Sequence, residues 1–397
     1  MTTERDFDPA ARLAGPPDPW DSAPMPTARG GVPYHMTEMI AAEPALARRM
    51  LERLADDSAV RTLADAIRAT ITAHEPVIVS GCGTSEHGAL AAAAILGEAV
   101  REAGLSTAIV ISEQAFELSL APPASGLVIG VSHDGGTAAT NAALAAARAA
   151  GRPTAALTVS RRSPIGAQAG IVVETAELDH GWCHTIGYLS PILAATAVGA
   201  VITGQRLAIA RAQHLLADGA RDTAAAEAIA ARLAEASQLI VIASGADRPT
   251  GRELVLKVEE AAWLPSAYRD LETFLHGHLP ATDQTTGLVL VLTDRAHRAE
   301  RVARARQALE AARIIGLRTA AIMASEVDAE FDESLTPAGR LIVGEAPELP
   351  DAVAALVGGV APLQLLTERL ARARGTDPDL IRREDPVYLA AAAAAED

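Results

Sequence analysis

The sequence predicts two tandem doubly wound α/β lobes, each a parallel sheet covered by helices on both faces. Three observations carry this reading. Short, continuously apolar runs such as PVIVS (76–80), GLVIGVS (126–132), QLIVIAS (238–244) and GLVLVLT (287–293) alternate with longer helical segments. Strands that stay apolar without alternating are buried on both faces, which is the mark of a parallel sheet between helices. The plan occurs twice, once on each side of residue 220. Hydrophobic residues make up 49% of the chain and aromatics only 3%. The core is therefore built from Ala, Val, Leu and Ile, a composition suited to Ala-rich helices on β-branched strands.

Each element follows in order. Residues 1–34 hold seven prolines and neither period, and read as an extended arm, mobile or laid over a partner subunit. From His35 the apolar spacing turns helical through Met36, Ile40, Leu46 and Leu51, and a second helix follows over 60–73. Strands are expected at 76–80, 107–112, 126–132, 154–160 and 171–174, with helices at 85–103 and 137–150. One long helix over 185–217 closes the half. The second half repeats with helix 223–236, strand 238–244, helix 248–263, strand 287–293, helix 298–315, strands 319–325 and 340–344, and helix 351–374. The expected division is an arm at 1–34, a first lobe with its N-terminal helices at 35–220, a second lobe at 221–375 and a tail at 376–397.

Composition removes several classes of function. With 34 Lys and Arg against 50 Asp and Glu, the net charge is −16, which opposes any broad contact with nucleic-acid backbone. The apolar stretch 188–204 contains Ser190, Pro191 and two threonines and reads as a buried helix, not a membrane span. The first 30 residues show no signal-peptide pattern. Cys82 and Cys183 are then expected reduced, in a cytoplasmic protein. Of the basic residues only Lys257 is lysine.

In such folds ligands bind beyond the carboxyl ends of the strands. Here those ends are small and polar. One leads into Gly81-Cys82-Gly83-Thr84-Ser85, another from Ser132 into His133-Asp134-Gly135-Gly136-Thr137, a third into Gly245-Ala246-Asp247. Glycines let the backbone approach a ligand, and helix N-termini offer free N–H groups. Hydroxyls of Thr84, Ser85, Ser132 and Thr137 could complete an anion cradle, or serve as ordinary helix caps. No cofactor is expected, because GCGTSEHG does not space its glycines as a dinucleotide fingerprint and no phosphate-loop lysine exists. In GRELVLKVEE, Glu253, Lys257 and Glu260 fall within about 60° of one another on a helix. That is either a solvated salt-bridge face or a carboxylate and an ammonium set for proton transfer. Glu272 and the loop His276-Gly277-His278 offer an acid/base. The cluster His180, Cys183, His184, Thr185 lacks a second ligand pair of structural-zinc spacing, so no metal is expected.

Together these motifs resemble the sugar isomerase (SIS) family, and within it the isomerase half of the glucosamine-6-phosphate synthases. The matching pieces are HMTEMIAAEPALARRML (35–51), CGTS (82–85), SHDGGTAATNAAL (132–144), HTIGYLSPIL (184–193), ELVLKVEEAA (253–262), FLHGHL (274–279) and APLQLLTERLARARGTDPD (361–379). The resemblance implies two αβα lobes, a homodimer with shared sites and a sugar or sugar phosphate as ligand. It implies that Glu260 is the base shuttling a proton between C1 and C2, and that Lys257 lies near the open-chain substrate. His276 would be the ring-opening histidine, supplied in these dimers by the partner subunit. Thr84 and Ser85 would bind the sugar, and Ser132 and Thr137 the phosphate. His133, Asp134, His184, Thr185 and Glu253 complete the expected substrate-binding set.

The sequence also departs from that pattern. It shows no glutaminase domain, and the C-terminal lysine has no counterpart. The S-x-S-G-x-T loop has become Ser132-His133-Asp134-Gly135-Gly136-Thr137, so a carboxylate stands where a hydroxyl should face phosphate. At 4 Å and an effective dielectric near 20, such a like-charge pair repels by roughly 4 kcal/mol. Either Arg161 or Arg162 compensates, or the substrate carries no phosphate there. His278 replaces the family's proline. The leading expectation is an aldose–ketose isomerase, or an amino-sugar-phosphate isomerase that releases ammonia, acting through an enediol or enediolamine. The alternatives are an isomerase of a non-phosphorylated or sulfonated sugar, and a non-catalytic sugar-phosphate sensor.

Overall fold

The computed structural model describes residues 7–21, 26–105 and 109–396. Two five-stranded, all-parallel sheets form its centre. The first holds β1 (Val77–Gly81), β2 (Val110–Gln114), β3 (Leu127–Ser132), β4 (Thr154–Thr158) and β5 (Ile171–Glu174), in the order β2-β1-β3-β4-β5. The second holds β6 (Gln238–Ala243), β7 (Ser266–Asp270), β8 (Thr286–Leu292), β9 (Arg318–Ala324) and β10 (Gly339–Val343), in the order β10-β9-β8-β6-β7. Counted within each lobe, both orders are 2-1-3-4-5, so the chain reverses direction between the first and third strands, where such sheets open a crevice. Strands β1, β3, β4 and β8 are buried along their whole length, as their unbroken apolar runs require.

One apolar core runs through both lobes. It joins Leu46 and Leu54 of the first helix (His35–Ala55), Leu96, Ile192, Val241 and Leu356. The helices Ile186–Thr203 and Asp351–Arg374 are long and apolar enough to cross a membrane, but 83% and 94% of their apolar windows are buried inside the fold.

Three expectations are corrected. The single helix expected over 185–217 is two, Ile186–Thr203 and Ile209–Gly219, because Gly204 takes φ 72° and closes the first. That left-handed turn is inexpensive only for glycine. Strand β7 has no counterpart in the sequence reading, because SAYRD is a half-buried edge strand with no apolar run. The strand expected at 107–112 lies two to three residues later as β2, and residues 107 and 108 fall outside the described residues. The arm, where described, lies on its own chain. The Leu13 N–H donates to Glu177 at 2.8 Å, and the Leu178 N–H donates to the Ala14 carbonyl at 2.9 Å.

Candidate functional site

At the first lobe's crevice, β1 turns straight into the helix Thr84–Glu102. The turn admits only glycine at residue 81, where a Cβ would stand 2.4 Å from the Ser85 carbonyl oxygen. Gly83 takes φ 57°. Thr84 and Ser85 are consequently buried at the helix start. The helix Arg248–Ala262 of the second lobe crosses here, and His87 Nδ1 meets Glu253 Oε2 at 2.7 Å. Two distant segments of the chain are thus tied by one hydrogen bond between lobes.

The trio expected on the Lys257 helix is not a solvated face. Glu253 and Lys257 are fully buried, while Glu260 keeps 22% of its side chain exposed. Lys257 Nζ lies 2.6 Å from Glu260 Oε2 and 3.6 Å from Glu253 Oε1. Burial opposes the ammonium, but Glu260 and Glu253 outweigh it and hold Lys257 charged. The carboxylates diverge. Burial pushes Glu260 up despite Lys257. For Glu253 the burial penalty is outweighed by Lys257 and His87, and the group falls below its ordinary value. Two carboxylates pushed apart in this way take different roles. Burial keeps the Cys183 thiol protonated well above the usual thiol range.

The second loop of the crevice is self-occupied. Asp134 Oδ1 accepts from the Gly136 N–H at 2.9 Å, and the Ser132 hydroxyl donates to Thr137 Oγ1 at 3.4 Å. Neither candidate arginine turns toward it. Arg162 pairs with Asp18 of the arm, and Arg161 with Glu174 at 3.5 Å. Trp20 of the arm covers the loop, with its Nε1–H donating to the Asp134 carbonyl at 3.1 Å.

Sequence reasoning missed Asp179. Its carboxylate accepts from the Thr185, Ile186 and Gly187 N–H groups at 3.1, 3.1 and 2.7 Å and from the Thr185 hydroxyl at 2.9 Å. Burial opposes its charge, but His133, His184 and these donors hold it below the usual range. It caps the helix Ile186–Thr203 from seven residues upstream, so no local capping signal marks it. Thr185, expected at the substrate, is turned into that cap. His184 is pushed down to about 4 by burial, and its ring lies 5.1 Å from that of His133. His87 and Trp20 were also missed. The first was legible, since it stands three residues after Thr84 on the same helix face.

Two openings reach these groups. One cavity of about 420 Å³ lies under the arm, lined by Trp20, His133, Asp134, His180, Trp182 and His184 among others. A cleft of about 480 Å³ exposes Glu260 beside Trp263, Ile381, Arg382 and Tyr388. His276 is not brought to Glu260 within the chain. It sits on a surface loop with 69% of its side chain exposed, 2.5 Å from Glu272, which also holds Arg304. His278 accepts from Arg269 at 3.1 Å. The matching crevice of the second lobe is filled by its own carboxylates. Asp247 accepts from the Thr293 N–H at 2.7 Å, and Asp294 accepts from the Ala246 N–H at 2.8 Å and pairs with Arg301 at 2.6 Å. Among the described residues the first lobe's crevice is therefore the candidate site.

The fold matches the C-terminal domain of the glucosamine-fructose-6-phosphate aminotransferase of Francisella tularensis, with a TM-score of 0.75, 17% identity and coverage of 89% of this chain and 99% of that one. The chain has the SIS fold. In sequence it is 26% identical over 389 residues to the isomerizing glutamine–fructose-6-phosphate aminotransferase of Gloeobacter violaceus, covering 93% of this chain and 61% of that enzyme. The chain thus spans about three fifths of the length of that curated relative. The tagatose-6-phosphate ketose/aldose isomerase of Escherichia coli superposes with a TM-score of 0.65 at 16% identity, over 90% of this chain and 97% of that one. No protein-family model matches the chain.

Proposed function

We propose that the chain is a sugar isomerase that moves a carbonyl between C1 and C2. The observation that carries this is the ion pair of Glu260 with buried Lys257, one carboxylate pushed up and open to a cleft while its neighbour Glu253 stays ionised. Glu260 takes the C2 proton of an open-chain aldose, giving an enediol, and returns it to C1, giving the ketose. A base with a raised pKa both takes and returns that proton near neutral pH. Lys257 steadies the negative charge developing on the oxygens. His276 opens the ring from the partner subunit of a homodimer, as the resemblance implies. Aldose–ketose exchange and ammonia release from an amino sugar share this machinery.

The test is solvent exchange. In D₂O, substrate should gain deuterium at C1 or C2, read by NMR, and Glu260→Gln should abolish it. Ammonia release in the same tubes marks the deaminating reaction. A sugar that binds without exchange would sink the catalytic reading and favour a sensor.

A further inference from the structure

We propose that the cavity under the N-terminal arm receives the end of the sugar remote from C1 and C2, and that this end is an ammonium group, selected by Asp134 and Trp20 in place of a phosphate. The inference rests on the reading of the chain as a sugar enzyme and adds the chemistry of the substrate's far end.

The arm is a built wall of the cavity. It is held by the hydrogen bonds of Leu13 and Ala14, by the pair Asp18–Arg162 and by the Trp20 indole N–H. The indole packs against the loop, and a Cβ at Gly136 would stand 3.2 Å from two of its ring atoms.

Carboxylates dominate the described lining of the cavity. Among its lining residues there is no lysine or arginine, while Asp21, Asp134 and Asp179 all line it. The Asp179 carboxylate is already used by the helix it caps, but Asp134 gives only one oxygen to Gly136. Burial holds the His180 and His184 rings below their ordinary value, so neither brings a positive charge at neutral pH. Among the described lining residues an anion meets no lysine or arginine, while a cation meets a carboxylate and an indole, the pair that recognises organic ammonium groups. A second feature points to a ligand. The Asp179 N–H donates to His133 Nε2 at 3.0 Å, and the Asp179 carboxylate lies 3.3 Å from the same nitrogen, so this side of the ring is occupied. The other ring nitrogen, Nδ1, on a side chain that lines the cavity and is 5% exposed, is buried with no partner among the described residues. It is free to hydrogen-bond a sugar hydroxyl.

Three sugars that differ at one carbon test this: glucose, glucose 6-phosphate and 6-amino-6-deoxyglucose, titrated by calorimetry at pH 7 into the full chain. The amino sugar should bind at least about tenfold tighter than the phosphate. Asp134→Ser should reverse that order, and Trp20→Leu should weaken the amino sugar while the melting temperature stays unchanged. Tighter binding of glucose 6-phosphate by the unaltered protein, with Asp134→Ser no different, overturns the inference and leaves the isomerase reading standing. Failure of all three sugars to bind overturns both.

Discussion

At the scale of single residues, the structure separates groups that the sequence shows side by side. Glu259 and Glu260 are neighbours, yet only Glu260 touches Lys257. Glu259 instead accepts the Ser266 N–H at 3.1 Å. Glu260→Gln should therefore cut turnover by about 10²-fold or more while sugar binding stays within threefold, and single-turnover kinetics checks it. Lys257→Met leaves Glu253 ionised and buried without its cation. Removing one partner of a buried pair costs about 3–5 kcal/mol, so the urea midpoint should fall markedly. Glu43 is a different case, a carboxyl buried in the first helix with both oxygens unpartnered among the described residues. Burial pushes it well above its ordinary value, more than Gln364 can offset. A raised native pKa gives stability that is present below the ordinary value of 4.5 and is lost as pH climbs through the native one. Glu43→Gln should thus unfold at higher urea than the parent at pH 8, with the gap closing toward pH 5. The lone lysine and the glutamates were legible because their spacing is helical. Their burial was not, since nothing in GRELVLKVEE says that another lobe will cover it.

At the scale of elements, the tail is a clasp between the two ends of the chain. Asp379 accepts the His35 and Met36 N–H groups at 2.7 and 3.0 Å, and its carbonyl accepts the Trp182 N–H at 2.9 Å. Arg382 stands 4.5 Å from the centre of the Trp263 ring and 3.9 Å from that of Tyr388, and Arg383 lies 4.7 Å from that of Trp182. The first helix is thus capped by a residue 344 positions away. Asp379→Ala should cost about 1–2 kcal/mol, the usual worth of a good cap, read as a lower denaturation midpoint. Neither this clasp nor the Asp179 cap could be seen in sequence, where a cap is sought next to its helix. The opposite holds for the loop 132–137. Its carboxylate stood out against the family pattern, and the structure adds that Arg161 and Arg162 are engaged elsewhere.

At the scale of the whole molecule, the two lobes share one core, and carboxylates occupy the strand ends of the second lobe. The exposed His276 leaves the proposed catalytic set incomplete within a single chain. If a homodimer supplies it, mixing the Glu260→Gln and His276→Ala proteins under exchange should recover about a quarter of parental turnover on cyclic substrate. Half the dimers are then mixed, and one of their two sites is intact. Activity equal to the mean of the two separate variants would show that no subunit lends its histidine to another.

The sequence by itself determined the doubly wound class, the repetition of the plan and the identity of the polar strand ends. These follow from local periodicity and from residue types that a parallel sheet and a tight turn demand. Tertiary structure alone decided which of those ends form a site. Lys257 became a buried charge because the two lobes close on it, and the second lobe's crevice closed because Asp247 and Asp294 turn inward to its own N–H groups. The arm became the wall of a cavity because Trp20 found the Asp134 carbonyl 114 residues away. Burial, counter-charge and capping at such separations depend on which surfaces meet, and no window of sequence contains both partners.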